Sequence, residues 1–255
     1  VPSYAAEISV FHLISDVGYL ITDNFAVEEY TPTGFNRGLI TLTFDDGWED
    51  NIFTAIPMMS EYEMLSNYFF ATTYIENSYL SNAEEIILEI ERMGHEIGSH
   101  SVTHPDLTTL SSREVRRELR MSQRYLRGLV AGPVNYFATP FGAYNEAVKD
   151  QIMAYYDVHR TVNDGFNSAD NWDLTQLKVK NILRTTTAQE VQQWVDSALA
   201  DGTWLILVYH RVADDPGTYD SYIGDFADHL EVIDGSGIEV VTISQALNEL
   251  VPQLP

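Results

Sequence analysis

The sequence contains no cysteine. Disulfides and thiolate ligands are excluded, so any metal site must be built from His, Asp or Glu. Lysine is almost as scarce, with Lys149, Lys178 and Lys180 the whole complement. Against 14 Lys and Arg stand 38 Asp and Glu, a formal charge of −24. That balance argues against nucleic acid as a partner, because phosphate binding needs a basic surface. An acidic surface of this kind stays soluble, suits salty surroundings and attracts a cationic product over distance. No segment approaches the ~20 continuous apolar residues that cross a bilayer, so no membrane span is expected. The opening VPSYAAEISVFH shows no basic stretch followed by an apolar one, so no signal peptide is legible. No Gly-rich phosphate loop follows the first strand-like segment, which counts against a doubly wound sheet.

What is present is an alternation of short apolar runs and amphipathic stretches from Arg37 onward, the pattern of a β/α architecture. The strand candidates are LITLTF, NYFFATTY, HEIGSH, VNYFAT, YDVHRTV, LKVKNIL, TWLILVYH and IEVVTI. Ser81 with Glu84, Ser111 with Glu114 and Thr187 with Glu190 have capping-box spacing and mark helix starts between them. The helix after Ser111 is expected to end at Gly128. Seven or eight strands interleaved with helices predict an α/β fold, a distorted (β/α) barrel of about seven strands spanning 37–255. Residues 1–36 read differently, as two strands about Gly18 and a linker at 31–34. This N-terminal β-hairpin extension is expected either to cap the barrel or to be the remnant of an upstream β-sandwich.

Polar residues fall at telling places. Asp45 and Asp46 close the first strand, His100 closes HEIGSH with His104 in the loop after it, Pro140 and Phe141 follow VNYFAT, and His210 ends TWLILVYH. Strand C-termini of a β/α barrel share one face, where catalytic side chains gather. Adjacent carboxylates repel each other, and a cation between Asp46 and other ligands removes that cost. Gly98 and Pro105 argue against a helix through HSVTH, but a strand end running into a turn can also converge two imidazoles. Two His and one carboxylate leave positions open for water, as catalytic metals require.

These residues make the chain resemble the polysaccharide deacetylases, carbohydrate esterase family 4. TFDDG (Thr43 to Gly47), HSVTHP (His100 to Pro105), ATPFG (Ala138 to Gly142) and LILVYH occur in family order across about residues 37–250. The resemblance implies a barrel that removes acetyl groups from a sugar polymer. Asp45 would be the general base. Asp46, His100 and His104 would hold a divalent metal, zinc foremost, with cobalt or another divalent ion possible. The Phe141 N–H would help hold the oxyanion, and His210 would be the general acid. The expected partner is an acetylated polysaccharide or oligosaccharide, with N-acetylated chitin oligomers or peptidoglycan first and O-acetylated xylan as the alternative. The expected protein is a secreted or cell-surface monomer. Many members begin the third motif with Arg, which steers the catalytic Asp, whereas this chain has Ala138. Arg160, Lys178 or Lys180 could supply that charge, and a barrel that only binds glycans is the alternative if none does. Asp164 or Asp170 is expected to orient His210, and Trp172 to wall the acetyl pocket with Val208. Arg211 follows His210 where Asp is frequent, which leaves the surroundings of His210 open. Tyr144, Trp48 and Trp172 are candidates for stacking on sugar rings. His12, His95, His159 and His229 are read as structural or surface residues.

Overall fold

The structure, a computed structural model, describes residues 33–76 and 83–254. The N-terminal hairpin expected before the linker and the Ser81 cap lie outside the described residues. Seven parallel strands form the barrel: β1 (Leu39–Phe44), β2 (Ser66–Phe70), β3 (Glu96–Ser99), β4 (Tyr136–Ala138), β5 (Val158–Asp164), β6 (Leu177–Asn181) and β7 (Trp204–Tyr209). The ring closes where β1 pairs with β7 along its whole length, from Leu39↔Trp204 to Phe44↔Tyr209. On its other edge β1 pairs with β2 only from Leu42, and the two-residue strand Glu239–Val240 fills the gap beside Leu39 and Ile40. The expected barrel is thus the observed one.

Side chains alternate across each strand, and this parity builds two cores. Leu39, Phe69, Tyr136, Ala138, Val158, Leu177, Val179, Trp204, Ile206 and Val208 belong to the cluster inside the ring. Their neighbours Ile40, Leu42, Phe44, Tyr68, Ile97, Phe137, Leu205 and Leu207 belong to the cluster under the helices. Thr41 and Thr43 keep the inward parity of β1 and satisfy their hydroxyls on Val241 O (2.8 Å) and Leu207 O (3.0 Å).

Four of the described α-helices begin where a side chain takes over one of their first backbone donors. Capping boxes stand at Ser111/Glu114 and Thr187/Glu190 as expected, and at Thr242/Gln245, which the sequence reading missed. The helix Ser112–Leu129 buries Val115, Leu119, Ser122 and Leu126, one stripe at helical spacing. It does not stop at Gly128. Val130 is its C-cap, in extended conformation, so no left-handed glycine is used. A left-handed glycine does end the helix Ala188–Asp201: Gly202 (φ 61) lies so close to Phe35 O that a Cβ would sit 2.4 Å from it. Most strands are shorter than read. NYFFATTY leaves the sheet after Phe70, because the Thr72 and Thr73 N–H groups turn to Ser101 O (3.1 Å) and Val102 O (2.9 Å) and start a helical turn. IEVVTI keeps only Glu239 and Val240 as strand.

Candidate active site

Inward parity carries past the strand ends. The row Leu39, Thr41, Thr43 continues to Asp45; Gly98, packed under Phe69, continues to His100; Trp204, Ile206, Val208 continue to His210; Leu177 and Val179 continue to Asn181. These residues converge on one cavity of about 410 Å³, also lined by Asp46, His104, Thr139, Phe141, Gly142, Val162 and Tyr219. The six residues expected to carry catalysis or metal, Asp45, Asp46, His100, His104, Phe141 and His210, are therefore at one mouth. Asn181, Val162 and Tyr219 were missed, although the period of two along β5 and β6 points to the first two.

Asp46 has the parity to face outward, but its left-handed φ of 71° swings it back over the mouth. There the Trp48 indole N–H donates to Asp46 Oδ2 at 3.0 Å. Asp46 Oδ1 is turned to the imidazoles, 3.2 Å from His104 Nε2 and 3.5 Å from His100 Nε2, while the two Nε2 atoms are 3.1 Å apart. His100 is anchored through Nδ1, 2.7 Å from the Ala138 carbonyl, which directs its other nitrogen to Asp46. The loop carrying His104 is braced from behind by Glu118, whose carboxylate accepts from Val102 N–H and Thr103 N–H, both at 2.9 Å. Tyr74 and Phe141 flank the His104 ring.

This donor set fits a divalent ion. Asp46 Oδ1 is buried and accepts no hydrogen bond, a costly state unless a cation meets it. Asp46, His100 and His104 each offer one ligand atom, all within 4.8 Å of one another. Burial opposes ionisation of Asp46, yet His104, His100 and His210 outweigh it and hold the carboxyl far below its usual range. Burial pushes His100 down to about 4 against the pull of Asp45 and Asp46, leaving a neutral imidazole with a lone pair to give.

Asp45 is 3% exposed and takes no part in that triad. Arg160 Nη2 donates to both of its oxygens. Of the three candidate cations, Arg160 therefore reaches Asp45; Lys180 pairs with Asp164 at 2.7 Å. Several expected partners are elsewhere. Asp164 is held by Lys180, and Asp170 accepts from the Ser168 hydroxyl at 2.6 Å. His210 Nδ1 is buried without a hydrogen-bond partner. Trp172 packs on Phe35 and Trp204 at the closed end of the barrel, far from any acetyl pocket, because Phe35 folds back onto Gly202. Tyr144 bonds Gln176 and Asn163 and abuts His159. Arg211 turns away from His210 to Asp50 and Asp215. His95 takes the Ser66 N–H at 3.1 Å, and His159 and His229 are likewise buried and bonded, as structural residues should be. His12 lies outside the described residues.

Comparison with known proteins bears out the resemblance drawn from the motifs. The sequence model described as polysaccharide deacetylase matches residues 34–159. A bifunctional xylanase/deacetylase of Pseudobutyrivibrio xylanivorans is 26% identical over 117 residues, 46% of this chain and 19% of that protein. A chitooligosaccharide deacetylase of Sinorhizobium fredii is 27% identical over 119 residues, 46% of this chain and 53% of that protein. The chain thus spans between about a fifth and a half of the curated relatives it matches. The Xyl-CE4 domain of a multidomain xylanase from the hindgut metagenome of Trinervitermes trinervoides shares the fold, with a TM-score of 0.63 at 23% identity over 86% of this chain and 95% of that one.

Proposed function

From a chain that belongs, along residues 34–159, to the polysaccharide deacetylase family, we propose a metal-dependent hydrolase that removes acetyl groups from glycans, N-acetylated chitin oligomers or peptidoglycan foremost. One observation carries this reading: two consecutive carboxylates face different partners. Asp46 turns to two imidazoles and Asp45 to a guanidinium. Neighbouring acids with distinct surroundings can take distinct roles.

Asp46, His100 and His104 would hold the ion, zinc by expectation or cobalt in its place. A divalent ion there supplies Lewis acidity toward the acetyl group. Asp45, outside the triad yet at the same cavity, accepts the proton of the attacking water. The Phe141 backbone, set at φ 57 on the cavity wall, offers its N–H to the developing oxyanion, a contribution typically worth ~3–4 kcal/mol. His210, on the opposite side of the ring opening, gives a proton to the departing amine. The acetyl-bearing sugar lies among Phe141, Val162, Asn181 and Tyr219.

A second reading, hydrolysis of O-acetyl esters such as those of acetylated xylan, is favoured by the unpartnered Nδ1 of His210. No carboxylate shares its proton there, and expelling an alkoxide demands less proton donation than expelling an amine. Acetate release from chitin oligomers, peptidoglycan and acetylxylan, assayed side by side, separates the two. Glycan affinity without acetate from any of them would mark a binding barrel instead. Chelation should abolish turnover and bound metal together, and zinc or cobalt should restore both. A polymer substrate of this class is met outside the cytoplasm, so the proposal includes a secreted or cell-surface monomer, checked by fractionation and by mass in solution.

A further inference from the structure

We propose that Arg160 is the positioning residue of Asp45, delivering from β5 the charge that the resemblance places at the start of the third motif on β4. The inference rests on the deacetylase reading for its catalytic meaning, but its geometry stands without it. Ala138 and Arg160 are register partners across the β4–β5 pair. In a parallel pair such residues face the same side, and both follow inward-facing neighbours, Tyr136 and Val158. A guanidinium on either residue starts from the same level of the barrel interior.

The guanidinium of Arg160 is fixed through its two terminal nitrogens, while Nε is buried without a partner. The residue is 0% exposed and lies over the Phe69 ring with its guanidinium carbon 5.2 Å from the centroid. Nη1 donates to Thr161 O at 3.1 Å, and Nη2 donates to both oxygens of Asp45. Lys178 and Lys180 cannot replace it, since they alternate with the inward Leu177 and Val179 and so face out of the ring. Lys180 stands over Phe166 and Trp194 there. The methyl side chain of Ala138 is the complement of this arrangement: both positions are fully buried, and one large side chain fills the room above Phe69. Arg160 thereby sets the direction of the Asp45 oxygens through hydrogen bonds that go to Asp45 and Thr161 and not to Asp46, His100 or His104.

The test moves the guanidinium sideways. Arg160→Ala should lower kcat for acetate release by about 100-fold, the scale of a misaimed reacting group, with KM and bound zinc within about twofold of wild type. Ala138→Arg combined with Arg160→Ala should restore kcat to within about tenfold. A folded Arg160→Ala enzyme with full kcat would overturn the proposal, as would a double variant that is folded yet as slow as Arg160→Ala, or one that does not fold. Denaturation supplies a readout free of activity. Arg160→Ala should lower the urea midpoint strongly beside Asp45 and much less in an Asp45→Asn background, because an unpaired buried carboxylate is then absent. If Arg160→Ala alone is insoluble, recovery of a folded Asp45→Asn/Arg160→Ala protein is the supporting outcome. Equal losses in both backgrounds, or failure of both to fold, would reduce Arg160 to packing. Absence of acetate from the wild-type enzyme on every glycan would defeat the deacetylase reading alone, with the midpoints still deciding whether Arg160 holds Asp45.

Discussion

At the base of the barrel the inward rows begin with Leu39, Val158, Leu177 and Trp204; at the mouth they finish on Asp45, Asn181 and His210. The backbone changes along with the side chains. Five described non-glycine residues have left-handed φ, and four of them, Asp46, Ser101, His104 and Phe141, stand at the mouth, with Glu63 the exception. Each such residue carries strain of order 1 kcal/mol or more that its surroundings must hold in place. The mouth is held by polar tethers, Glu118 on the His104 loop and Trp48 on Asp46. The base is held by burial, with Trp204 and Leu39 both fully enclosed. One end supplies cohesion, and the other spends it on aiming side chains.

The sharpest way to break this contrast is to change the mouth without touching the base. Asp45→Asn should reduce acetate release by about 10²–10⁴-fold, equivalent to ~3–5 kcal/mol of barrier, with bound metal retained, whereas Asp46→Ala should lose both; metal analysis beside kinetics reads this. In the reverse direction, Leu39→Ala at the base should destabilise by about 2–5 kcal/mol in urea unfolding, while the folded fraction keeps its kcat. Acidification weakens the base through a buried imidazole. Burial pushes His95 down to about 4, against an unfolded value near 6.5. The unfolded chain therefore binds a proton that the folded one refuses. Stability is full above pH 6.5 and falls as pH drops toward 4, by about 2 kcal/mol between 6.5 and 5 from this residue. His95→Gln should remove that share of the slope in urea midpoints measured at pH 7 and 5. Trp48→Phe, which frees Asp46 Oδ2, should weaken metal binding about 10–100-fold with little effect on unfolding, as calorimetry would show. Smallest is Arg37→Ala: its pairs with Glu239 and Glu249 are largely solvent-exposed, so the loss should stay under about 1 kcal/mol by thermal melting and shrink in salt.

The barrel was legible because period-two rows and capping boxes are local signals. The same holds for Asp45, Asp46, His100, His104 and His210, which sit at strand ends that the topology must bring together. What escaped depends on lateral or loop geometry. Arg160 could not be separated from Lys178 and Lys180 until the β4–β5 register was known. The bond from Trp48 to Asp46 was not foreseen, because nothing in the order of residues reveals that Asp46 takes a left-handed turn toward it. Trp172 was assigned to the wrong end, since the path of the 165–176 loop follows from its bonds to Trp204 and Thr33 and not from composition.

The shared rung of Ala138 and Arg160 bears on how such chains are sorted. Read letter by letter, the third motif here begins with Ala138 where the resemblance implies arginine, and a survey keyed to that position would file the protein among the inert. Read by rows of the sheet, Arg160 stands one strand over from Ala138 on the same rung, and its guanidinium reaches Asp45. A survey that accepts arginine at either of two laterally adjacent positions would keep chains of this kind among the candidate catalysts.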